Sequence, residues 1–148
     1  MTIDDLKLIT GARLESSRKL MEAGDWFFAS YAMAMTLEVA LKALICKTLN
    51  ISSYPQNQKQ QKVVGFFWTH EFEQMLLLAG LSDTIGTSGS DEVFQNWSDF
   101  TKEFPGAWTS IRYDYDRQSQ FDRTKTERLF NALTHPSYGL LIKIKEKW

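Results

Sequence analysis

The hydrophobic pattern of the chain is dominated by Trp26 to Cys46, "WFFASYAMAMTLEVALKALIC", which is apolar on nearly every side of a helical wheel. Such a helix has little polar face to offer solvent and is predicted to lie at the centre of a helical domain. Before it, apolar residues recur at helical spacing from about Thr2 to Ala23, which predicts a first helix with Leu6, Ile9, Ser16, Leu20 and Ala23 on its core side. Gly24 supplies a left-handed stop and Asp25 a cap for the second helix, expected to run to about Leu49.

The polar, Gln-rich "NISSYPQNQKQQK" then reads as an exposed connector, and "VVGFFW" as a short strand or an apolar plug. Thr69 can cap a third helix, "HEFEQMLLLAG", that ends at Gly80, with Glu71 and Glu73 in its positive first turn. "LSDTIGTSGS" reads as a loop, and Ser90, Asp91 and Glu92 open a fourth helix that extends to about Glu103, before Pro105 and Gly106. The alternation in "IRYDYD" predicts a short extended segment. A last helix is expected to open on the capping box of Thr124 and Glu127 and to carry Leu129, Leu133, Ser137, Leu140, Ile144 and Trp148 in one stripe. Pro136 should kink it, because the proline ring meets the carbonyl of Ala132. The expected fold class is all-α, in a single domain spanning 1–148.

Composition changes this picture little. Hydrophobic residues make up 43% and charged residues 24% of the chain, as in an ordinary globular protein with little long disorder. One cysteine and the lack of a basic-then-apolar opening predict a reducing, cytoplasmic setting. A net charge of -1 argues against an overall cationic glove for nucleic acid and leaves room for a local basic patch. The apolar run could span a bilayer by length, but Glu38 and Lys42 near its centre would each cost roughly 2.5–3.5 kcal/mol there, so a core helix is expected instead.

Glu38 and Lys42 stand four residues apart on one helix face. They can form an ion pair that reaches the surface, or contact a ligand. In the third reading Glu38 lies inside the fold and pairs with Arg112, since an unpaired buried carboxylate is too costly. Two His and one Cys, far apart, do not make a zinc site, and Gly86 and Gly89 have no following Lys for a phosphate loop, so no metal or cofactor is expected. Lys59 and Lys62 beside Phe66, Phe67 and Trp68 can hold single-stranded RNA by phosphate contact and base stacking, or the rings can belong to the core.

The stretch "YAMAMTLEVALKALI" resembles the signature helix of the HEPN family, in which small and apolar residues precede Glu and then Leu-Lys-Ala-Leu. "THEFEQMLLLAG" resembles that family's third helix opening on a His, here His70, and Arg112 with Tyr113 resembles the "RY" before its last helix. The resemblance implies an antiparallel up-and-down bundle of four or five helices and a two-fold dimer. It also implies a nucleotide- or RNA-associated role, with links to nucleotidyltransferase partners and toxin–antitoxin pairs. The polar group then comprises Glu38, Lys42, Arg112, Tyr113 and His70.

Ribonucleases of that family use an Arg and a His with four to six residues between them, and "RLFNALTH", from Arg128 to His135, with six between, fits the loosest spacing. On one helix face Arg128 could steady phosphate charge and His135 move a proton, giving a metal-independent endoribonuclease. Leu129 stands where the family places a polar residue, and the pair lies later in the chain than the motif normally does. The competing readings are a surface or capping role for His135 beside the proline, and a first-turn helix role for His70. A non-catalytic interaction protein is the remaining functional class.

Overall fold

The computed structural model describes residues 1–57, 65, 69–85 and 91–148. The predicted plug "VVGFFW", apart from Gly65, and the RNA-contact candidates Lys59, Lys62 and Trp68 lie outside them. Among the described residues the fold is mostly helical and contains no strand, only an isolated bridge between Thr2 and Ser53.

Helix α1 (Ile3–Glu22) opens on a full capping box, in which the Thr2 hydroxyl accepts from the Asp5 amide and the Asp5 carboxylate accepts from the Thr2 amide. It ends as its spacing predicts. Gly24, at φ +75°, takes the left-handed position, and the Asp25 amide reaches back to the Leu20 carbonyl. The Asp25 side chain then accepts from the Phe28 amide and starts α2 (Trp26–Thr48), so the two long helices form a hairpin with a three-residue link, Ala23 to Asp25.

The register of α1 differs from expectation by one residue. Leu6, Thr10 and Ser17 are buried, whereas Ser16 and Ile9 are only partly covered and Ala23 is exposed. The inward hydroxyls of Thr10 and Ser17 donate to the carbonyls of Leu6 and Arg13, which satisfies them inside the helix.

Fifteen side chains of α2 are buried, among them Met33, Leu37, Leu41, Ile45 and the single cysteine, Cys46, at 0% exposure. The helix is long and apolar enough to cross a membrane by length and composition, yet α1 and the later helices cover most of it. Helix α3 (Phe72–Leu78) begins later than predicted. Thr69 turns the chain by accepting from the Glu71 amide instead of capping the helix, and Gly80, at φ +72°, closes it. A single turn, α4 (Ser82–Ile85), precedes α5 (Glu92–Thr101), which Asp91 caps.

The segment predicted to be extended is instead a 3₁₀ turn, Trp108–Tyr113, followed by the short α6 (Tyr115–Gln118). Trp108 and Ile111, three residues apart, face inward, and Asp114 caps α6. Aromatic rings gather here: Phe72 stacks on Trp108 at 5.8 Å, and Phe104 bridges Trp108 and Phe121 at 5.7–5.8 Å.

The expected last helix is two. Helix α7 (Arg123–Thr134) starts at Asp122, whose carboxylate accepts from the Lys125 amide, in place of the Thr124 capping box. The chain then leaves helical geometry at His135, with ψ 131°, as the residue before a proline favours, and resumes as α8 (Leu140–Lys145). Pro136 thus ends the helix instead of kinking it. Helix α7 packs on α2 through a buried polar seam in which the Ser30 and Thr126 hydroxyls meet at 3.0 Å and Thr126 donates to the Trp26 carbonyl. The Trp148 indole after α8 reaches the Ala40 carbonyl at 3.4 Å. One cluster of buried side chains runs from Leu6 to Ile144 with α2 at its centre.

Candidate functional site

Glu38 projects from the middle of α2 and is 7% exposed. A carboxylate so placed needs partners, and it has two. The Lys42 ammonium, one turn on, lies 2.6 Å from Oε1, and Nδ1 of His70 lies 3.0 Å from both carboxylate oxygens. Lys42 follows from helical spacing, whereas His70 arrives from a segment 32 residues away, just before α3. The Glu38 side chain is enclosed while the Lys42 and His70 side chains keep 17% and 42% of their surface, so the cluster is deep at its acid and open at its bases.

The phenol ring of Tyr54 forms a further wall, with the Lys42 ammonium 5.1 Å from its centroid. Burial, reinforced by the nearby Glu38 charge and by Cys46, pushes the Tyr54 hydroxyl well above the usual phenol range. The cluster joins a carboxylate, an ammonium, an imidazole and a neutral phenol. It can transfer a proton through His70 or present Lys42 and the imidazole to an anionic group.

Arg112 is not the partner of Glu38. Its Nε donates to the Thr109 carbonyl at 3.1 Å, and its guanidinium lies over the exposed Tyr113 ring at 5.4 Å. The Tyr31 hydroxyl responds to both: burial pushes it up, Arg112 pulls it down, and Glu38 adds to the rise. The expected polar group is thereby divided, with Glu38, Lys42 and His70 in one cluster and Arg112 with Tyr113 outside it. The physical reason is the 3₁₀ turn, which buries Trp108 and Ile111 and turns Arg112 and Tyr113 outward.

Arg128 is exposed on α7, and His135 is the first residue beyond that helix. The seven-residue spacing therefore does not place both on one helical face. Nδ1 of His135 accepts from the amides of Ser137 and Tyr138 at 3.1 and 3.0 Å, and its ring stacks on Tyr138 at 5.1 Å. With Nδ1 committed as an acceptor, the neutral ring carries its proton on Nε2. His135 acts here as the cap of a tight turn.

Tyr54, Tyr31 and the role of Thr69 were hidden from sequence reasoning, because "SSYPQ" carries the marks of a solvated loop and no periodicity to set its tyrosine inward. Among the described residues no three His, Cys, Asp or Glu side chains converge as a metal site would. Comparison with protein-family models, with curated proteins and with solved structures finds no match.

Proposed function

We propose that the chain is a HEPN-like helical module, with its helices in that family's up-and-down order, that associates with RNA or nucleotides in the cytoplasm as a homodimer or with a nucleotidyltransferase partner. One observation carries the reading. The Glu of the signature-like helix and the His that opens the third-helix cue, distant in sequence, meet at 3.0 Å in a half-open cluster. The third cue, Arg112 with Tyr113, lies near enough for Arg112 and Glu38 both to act on the Tyr31 hydroxyl. Lys42 and His70 give this region two basic groups for a phosphate, and the stretch with Lys59, Lys62 and Trp68 leads directly into His70.

The test combines light scattering with fluorescence anisotropy on a labelled single-stranded RNA. A mass twice 17.1 kDa is expected. Affinity should fall about twentyfold between 50 and 200 mM salt if three phosphates are contacted, and should drop again in Lys42→Met. A monomer with no affinity for RNA, mononucleotides or a co-expressed nucleotidyltransferase would refute the reading.

A further inference from the structure

The chain has two histidines, and the fold commits their ring nitrogens in opposite ways. At His70 the Nδ1 edge faces the Glu38 carboxylate, 3.0 Å from each oxygen. A carboxylate ion-paired with Lys42 only accepts, so the hydrogen between the two groups belongs to Nδ1 and the neutral ring keeps its lone pair on Nε2. Among the described residues nothing bonds Nε2, and the His70 side chain keeps 42% of its surface. At His135 the Nδ1 lone pair is taken by the Ser137 and Tyr138 amides, so the proton sits on Nε2 and no ring lone pair is left over. One ring has an uncommitted nucleophilic nitrogen and the other has none.

The surroundings of His70 suit an attack on phosphorus. Glu38 sits behind Nδ1, where it stabilises the positive charge that the ring gains when Nε2 forms a bond. Lys42, 2.6 Å from Oε1, offsets the charge of Glu38, so an anionic donor does not meet a bare carboxylate. Burial keeps the Tyr54 phenol protonated, and this wall adds no negative charge. The ring is also held in place beforehand. Its carboxylate anchor stands on the buried face of α2, and the turn that carries it is fixed by the Thr69 hydroxyl, which accepts from the Glu71 amide.

We propose that His70 is a phosphoryl acceptor, modified on Nε2 by a donor of the phosphoramidate class. The Nε2 lone pair forms the new N–P bond as the donor's own P–N bond breaks, and the donor nitrogen leaves as an amine with the protons it already carried. The Nδ1 proton stays on the ring, shared with Glu38, and nothing is oxidised or reduced. Because one P–N bond replaces another, the exchange is close to balanced in energy. Glu38 is a positioning residue here: it selects the tautomer and does not touch the donor. The step uses the cluster invoked for RNA association but needs neither RNA nor a second chain, so either reading can fail while the other stands.

The test is incubation of the full chain with potassium phosphoramidate at neutral pH, with the gain of a phosphoryl group followed by intact mass and located by peptide fragmentation under alkaline conditions. In the folded chain His70 should load about tenfold faster than His135, whereas in urea the two should load alike. Phosphorus NMR should show the Nε2 isomer alone. Glu38→Gln, which keeps a hydrogen-bonding side chain but loses the charge, should slow loading about tenfold. Glu38→Ala should yield the Nδ1 isomer as well, a change of product that lost stability does not produce. His70→Gln should leave the folded chain without the fast-loading site. Equal loading of the two histidines in the folded chain, a wild-type product on Nδ1, or the Nε2 isomer alone in Glu38→Ala overturns the proposal. So does a His70 that stays unmodified while the urea-unfolded chain is labelled.

Discussion

Glu38 shows how a charge persists in a hydrophobic helix. Its partners differ in access to water, and this sets the cost of removing it. Truncating one member of an enclosed pair costs 3–5 kcal/mol because the survivor is stranded, but Lys42 and His70 both keep solvent contact. Glu38→Ala is therefore expected to cost about 1–3 kcal/mol. That corresponds to a fall of roughly 2–12 °C in Tm for a chain of this length, read by thermal melting. Tyr54 makes a separate prediction. Its hydroxyl titrates higher in the folded chain than in the unfolded one, so its contribution is complete below the unfolded pKa and is lost as pH rises beyond it. Stability should decline from about pH 10 upward, and Tyr54→Phe should flatten that limb in melts taken between pH 8 and 11.

Helices were legible wherever apolar residues carried the pattern. The bounds of α1 and α2 follow from Thr2, Gly24 and Asp25, whose capping chemistry is local. The inward face of α1 was misread because Thr10 and Ser17 return their hydroxyls to the backbone one turn earlier, and a hydrophobicity count sees only polar residues there. "IRYDYD" alternates like a strand, yet the 3₁₀ turn buries Trp108 and Ile111 at a spacing of three, a period too short to outweigh the alternation. The site divided along the same lines: Glu38 and Lys42 were visible as a helical pair, and the arrival of His70 instead of Arg112 depended on tertiary packing. The break between α7 and α8 rests on Gly139, where a Cβ would lie 2.5 Å from the His135 carbonyl oxygen and 2.6 Å from its nitrogen. Gly139→Ala must push that backbone apart, at a cost of about 1–3 kcal/mol, measurable by urea denaturation.

At the scale of the molecule, every described helix of two turns or more feeds one apolar cluster around α2. Unfolding should thus be a single transition, with far-UV circular dichroism and Trp fluorescence coinciding along a urea curve. Separate midpoints would show that α1 and α2 hold together without the later helices. Leu37→Ala, at 0% exposure in the middle of α2, should lower the midpoint by the equivalent of about 2–5 kcal/mol. The burial of Cys46 has an experimental consequence. The chain has no second thiol, and burial holds this one in its unreactive protonated form. Maleimide capture can therefore proceed only from molecules in which the central helix has come loose, so the labelling rate under native conditions becomes a built-in clock for how often the protein opens.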